Sequence, residues 1–198
     1  IIRQLSERLT ALRNLEDRRT QVRTAIAEQG RLTDALAAKL DAAKTQTEIE
    51  DIYRPFRPKR RTRASIAKEK GLQPLADIIW GQKLIGTPEE AAKAFVDSGQ
   101  GVDTVLDAIN GAMDILAEQI SDDAAYRSWI RNMTVKKGKV VSQAKDAEAE
   151  SVYEMYYEFE EAVVRIAGHR ILALNRGEKE KYLTVKIEAP EEDILRYL

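Results

Sequence analysis

Pro55 and Pro58 stand inside a run of six cations and two aromatics, Tyr53-Arg54-Pro55-Phe56-Arg57-Pro58-Lys59-Arg60-Arg61-Thr62-Arg63. Each proline lacks an amide donor and pushes the residue before it towards extended backbone, so no regular helix can pass through this stretch. The helical patterns on either side must therefore end and restart around a stiff basic loop. Arg54 and Arg57 precede the prolines and are expected to be extended, while Thr62 is placed to cap the helix that follows. The whole chain carries a formal net charge of only -1, so positive charge gathered this tightly builds a local field. Such a field fits phosphate, acidic protein or acidic lipid.

The patterns on both sides are helical. Leu5, Leu9, Leu12 and Leu15 recur at helical spacing, with Val22 and Ile26 beyond them, and Gly30 supplies a left-handed stop. Buried positions are expected at Leu9, Leu12, Leu106, Ile109 and Leu116. Thr33 is read as the cap of a second helix, and Thr47-Glu48-Ile49-Glu50 as a capping box opening a third that ends before Pro55. Ala64 to Lys70 forms a short helix stopped at Gly71. Pro74 opens the next, with Leu75, Ile78, Ile79 and Trp80 on its inner face. Thr87-Pro88-Glu89-Glu90 combines a cap, a first-turn proline and a box glutamate, with a helix to about Val96. A long helix carries Val105 to Ile120, with Gly111-Ala112 permitting a close approach and Ser121 ending it and capping its successor.

From Thr134 to Val141 β-branched residues flank a Lys-Gly turn, which suggests a small hairpin. Helix is expected again from Ala147 to Tyr157, the apolar pattern runs on from Val163 across a break at Gly168 to Gly177, and then one strand from Tyr182 to Ile187 and a terminal helix from Pro190 follow. The fold class is therefore mainly α, an irregular multi-helix bundle with a small hairpin or short strands in its C-terminal third. Two regions are expected, 1–132 and 133–198. There are no cysteines, which excludes a disulfide framework and thiolate metal sites. No apolar run of membrane-spanning length and no signal peptide occur. Both ends lie inside apolar patterns, as in a piece of a longer protein.

Candidate sites are weighed against plainer readings. The basic loop offers arginine forks for phosphates, with Tyr53 and Phe56 either stacking on a base or packing beneath the loop. A second basic cluster, Arg170, Asn175, Arg176, Lys179 and Lys181, is diluted by Glu178 and Glu180 and equally describes a salt-bridged helix end. His169 is the only histidine, so it reads as a structural imidazole near a helix start. Asp122-Asp123 and Glu160-Glu161 do not converge as a two-metal site requires, because neighbours on a helix diverge by roughly 100°. No phosphate loop, nucleophile elbow or zinc signature is present, so neither cofactor nor metal is expected.

Three words then gain meaning together: Tyr53 to Ala64, Gly111-Ala112-Met113-Asp114-Ile115-Leu116-Ala117-Glu118, and His169-Arg170-Ile171-Leu172-Ala173-Leu174-Asn175-Arg176-Gly177-Glu178. In this order they resemble the N-terminal helical region of the Tex family of bacterial transcription accessory proteins. The resemblance implies a cytoplasmic, non-catalytic region of a nucleic-acid-binding factor, with an RNase H-like domain, helix-hairpin-helix elements and an OB-fold RNA-binding domain following the residues seen here. The expected nucleic-acid contacts, to RNA or DNA, are Arg54, Arg57, Lys59, Arg60, Arg61, Arg63, Arg170 and Arg176. Alternatively the basic surface docks on RNA polymerase, a ribosome-associated factor or the protein's own C-terminal domains.

Overall fold

The computed structural model describes residues 1–58, 60–82 and 86–198. They form ten α-helices and a three-stranded sheet, grouped into two compact units, 1–124 and 125–198. The mainly α reading with short strands towards the C-terminus is borne out.

The first unit opens with α1 (Ile2–Glu28), which Gly30 stops in left-handed backbone at φ 67°. The Thr33 side chain caps α2 (Asp34–Ala42), as expected. The cap of α3 (Gln46–Tyr53) is Thr45 rather than Thr47: Thr45 accepts from the Glu48 amide while the Glu48 carboxylate takes the Lys44 amide. Val22, Ile26, Leu40 and Ile49 make the apolar core of these three helices, with Leu15, Tyr53 and Phe56 packed against it.

A second core joins α4 (Arg63–Glu69), α5 (Gln73–Trp80), α6 (Pro88–Ala92) and α7 (Val105–Asp122) through Ala67, Leu72, Leu75, Ala92, Ala112 and Ile115. Small side chains let α4 and α7 come close. A Cβ on Gly111 would stand 2.3 Å from a Leu72 methyl, so the expected approach at Gly111-Ala112 is real. Thr87 and Glu90 form the reciprocal capping box with Pro88 in the first turn, though α6 gives way to a 3-10 turn, Lys93–Phe95, before Val96. Thr104 and Asp107 form another such box at the start of α7, which runs through Ser121 instead of ending there.

Five apolar expectations fail in this unit, on α1, α5 and α7. Leu9 and Leu12 are 49% and 46% exposed and Leu106 is 65% exposed, while Ile109 and Leu116 are partly buried at the core margin. On α5, Leu75 is buried but Ile78 and Trp80 are exposed, because the helix is short and Leu75 and Ala76 already fill the space against α7.

In the second unit α8 (Ala124–Lys137) continues through the residues read as a hairpin and stops at Gly138. The strand after it, β1 (Lys139–Ala144), lies between β2 (Glu158–Ala162) and β3 (Leu183–Glu188), with both pairings antiparallel. Gly138 is therefore the helix-to-strand joint, not the tip of a hairpin. Residues 147–157 are mostly turn, with one 3-10 turn at Glu154–Tyr156. Tyr153 and Tyr156 are buried with Val140, Leu174 and Leu183, so their three-residue spacing reflects a turn folded into this core rather than a helical face. α9 (Gly168–Lys179) supplies Leu174, and a Cβ on its Gly177 would come 2.6 Å from Leu183. α10 (Glu191–Tyr197) follows Pro190, and its Tyr197 stacks on Trp129 at 3.8 Å between ring centroids.

Candidate nucleic-acid interface

Residues 54–63 leave α3 and enter α4, and their geometry follows from the two prolines. Arg54-Pro55-Phe56 makes a single 3-10 turn that prolongs α3. Contrary to the expectation of extended backbone, Arg54 is helical at φ -51°, ψ -43°, because its amide closes the last turn of α3 onto Glu50. Pro55 is accommodated where the turn needs no donor from it. Arg57 is extended at ψ 133°, as the proline after it requires. Thr62 then caps α4 in a reciprocal arrangement with Ser65. Lys59 lies outside the described residues.

The aromatics sit beneath this segment. Tyr53 and Phe56 pack against the core of α1–α3, and each lies under an arginine plane, with Arg18 5.6 Å and Arg31 4.6 Å from the respective ring centroids. A hydrogen bond of 2.9 Å from the Gln29 amide to the Phe56 carbonyl ties the turn to the end of α1. Packing, not base stacking, occupies these rings.

The cations divide by partner. On α7, Asp114, Glu118 and Asp122 recur every four residues and so share one helical face. Asp122 meets the Arg54 guanidinium at 3.0 Å, Glu118 accepts from the Thr62 hydroxyl at 3.0 Å and lies 3.6 Å from Lys68, and Asp114 stands 3.4 Å from Arg63. Asp122 is the most enclosed of these carboxylates, so its bridge is the firmest, whereas the 3.4 Å contact of the exposed Arg63 adds little in water. Arg61 pairs with Glu69 at 2.9 Å, both well exposed. Arg57 and Arg60 are exposed and form no ion pair among the described residues. This carboxylate ladder was missed in the sequence because it lies 50 to 70 residues from the cations it meets. Its four-residue spacing was the available signal.

The other predicted cluster belongs to the second unit. Arg170, in the first turn of α9, pairs with Glu161 at 2.6 Å, and Arg176 pairs with Glu180 at 2.9 Å. The Tyr153 hydroxyl donates to the same Glu180 at 2.8 Å. Arg176 and then Tyr153 hold the Glu180 carboxyl below its ordinary value, while burial and then the Glu180 bond push the Tyr153 phenol up. Glu160 and Glu161 lie on β2, where neighbours point to opposite faces, and they pair with Lys139 and Arg170 respectively. His169 is exposed in the first turn of α9. Among the described residues no three His, Cys, Asp or Glu side chains gather as a metal site, and no helix is long and apolar enough to cross a membrane.

A mainly helical region with a small antiparallel sheet and a proline-shaped basic turn is the class of region these features define. The Tex central region-like family model matches residues 85–196. The transcriptional accessory protein Tex of Neisseria gonorrhoeae is 37% identical over 97% of this chain and 25% of its own length, and the protein YdcI of Bacillus subtilis 44% identical over 100% and 28%. Human S1 RNA-binding domain-containing protein 1 is 27% identical over 94% of the chain and 19% of its own length. The chain belongs to the Tex family, and it spans about a quarter of the length of these bacterial relatives.

Proposed function

We propose that this region is a non-catalytic scaffold of a Tex-family transcription accessory factor, and that its proline-shaped turn binds the phosphate backbone of RNA or DNA. The observation that carries the reading is the exposed pair Arg57 and Arg60, left without a carboxylate among the described residues although three acids on α7 face the flanking cations. Arg61 joins them, since a bridge between two exposed side chains yields readily to a phosphate. Arg54, bridged to the enclosed Asp122, holds the turn against α7 and so fixes the direction in which the free arginines point. The names of the relatives agree with this reading: one is called a transcriptional accessory protein, and the human relative is named for an RNA-binding domain. Contacts of this kind read charge and spacing rather than base identity. Binding of labelled single- and double-stranded RNA and DNA across a salt series tests it. Arg57→Ala with Arg60→Ala should lower the slope of log affinity against log salt by about two, alike for all sequences. An unchanged slope would remove the turn from the interface.

A further inference from the structure

The N-terminal half of α1 carries a second apolar face, distinct from the one that enters the core. At roughly 100° per residue, Leu15, Val22 and Ile26 centre on one direction, whereas Ile2, Leu5, Leu9 and Leu12 fall within an arc of about 80° turned about 100° away from it. Ile2 and Leu5 are 85% and 65% exposed, so among the described residues nothing covers this seam. Its intervals of three, four and three residues are those of a two-heptad coiled-coil seam. Arg8 lies along one border of the seam and Arg13 along the other, and neither forms an ion pair among the described residues. Towards the core the seam runs into a groove of about 330 Å³ between α1 and the start of α3, lined by Arg8, Leu12, Leu15 and Lys44 among others, with no carboxylate among the described lining residues.

We propose that this seam docks one amphipathic α-helix whose apolar stripe is bordered by Asp or Glu. Heptad spacing selects a helix, since only a helical partner presents knobs at the same intervals. The charge selects its flanks: two unpaired arginines border the seam and a lysine lines the groove. A second copy of this chain is a poor occupant. In a parallel pair Arg8 of one copy would face Arg13 of the other, and in the antiparallel register that pairs Ile2 with Leu12 the two copies of Arg8 would lie side by side, so both arrangements set like charges together. This surface is separate from the turn at residues 54–63, and the proposal does not rest on nucleic-acid binding.

The test uses the purified chain and two fluorescent three-heptad peptides with Leu and Ile on the seam, one flanked by Glu and the other by Lys, with sedimentation of the chain alone beside them. The Glu-flanked peptide should bind about ten-fold or more tightly than the Lys-flanked one, a preference that falls with salt. Arg8→Glu with Arg13→Glu should reverse the order. Leu5→Ser with Leu9→Ser should abolish binding of the Glu-flanked peptide while leaving the melting temperature in place, because these side chains are already in water. Equal or absent binding of the two peptides, or a preference that survives the charge reversal, would overturn the proposal. Self-association of the chain that Leu5→Ser with Leu9→Ser removes would overturn it in favour of a second copy.

Discussion

The turn at residues 54–63 and the helix α9 both looked basic, yet they hold their charge differently. On α9, Arg170 and Arg176 are each satisfied by a carboxylate of their own unit, and Arg176 shares its partner with a buried tyrosine. At the turn, one face of α7 reaches only the flanking cations and Glu69 on α4 takes Arg61, leaving Arg57 and Arg60 without an ion pair among the described residues. Charge density along a chain therefore measures supply, and the distribution of carboxylates measures what remains for a ligand. Prolines add to the contrast. They keep the middle of the turn from folding back onto α7, whereas the continuous helix α9 lets Arg176 meet Glu180 one turn away.

The largest expected effect concerns the platform that the turn depends on. Leu72 is fully buried between α4, α5 and α7, so Leu72→Ala should cost about 2–5 kcal/mol in denaturant unfolding. Leu9→Ala, on the exposed face of α1, should stay within about 0.5 kcal/mol. Equal losses would show that α1 is covered in solution and that the two faces of the helix are not distinct.

Removing the partners sharpens the comparison directly. Asp114→Asn with Glu118→Gln should release Arg63 and Lys68, steepening the salt slope for RNA by up to about two, at a cost of about 1 kcal/mol or less per exposed bridge. The same change applied to the partners of the α9 arginines, Glu161→Gln with Glu180→Gln, should leave the slope where it was.

The reach of the sequence follows the reach of the interactions. Gly30, Thr33, Thr62, Gly71 and the box at Thr87 were legible because a cap is satisfied within one turn of the chain. The choice between Thr45 and Thr47 was not, since each has an acid within reach and only the fit of Glu48 to the Lys44 amide decides it. Strand β1 was hidden because both of its partners lie further along the chain, and Tyr153 and Tyr156 mimicked a helical face while filling the space beside Leu174 and Leu183. At the site, the cations and their rigid turn could be read, and the ladder that neutralises some of them could not. The leucines of α1 taught the same lesson: helical spacing joined Leu5, Leu9 and Leu12 to Leu15 in one stripe, although only Leu15 packs against the core and the other three are exposed.

A smaller effect lies in the acid range. The Glu180 carboxyl is held below its ordinary value by Arg176 and Tyr153, so between that value and the lowered one the unfolded chain binds more protons than the folded chain. Its contribution to stability is present above the ordinary carboxylate value of 4.5 and is lost as the pH falls through the lowered one. Denaturant unfolding from neutral pH downwards should show the difference between wild type and Glu180→Gln shrinking as acid is added. A constant difference would mean that Glu180 acts through packing alone.

The most direct measurement sets the two basic regions side by side: RNA affinity across a salt series for the wild type, for Arg57→Ala with Arg60→Ala, and for Arg170→Ala with Arg176→Ala. The expected result is a slope lowered by about two in the first variant and unchanged in the second, with both proteins folded. A slope that falls only in the second variant, or in neither, would contradict the assignment of the phosphate-binding surface to the proline-shaped turn.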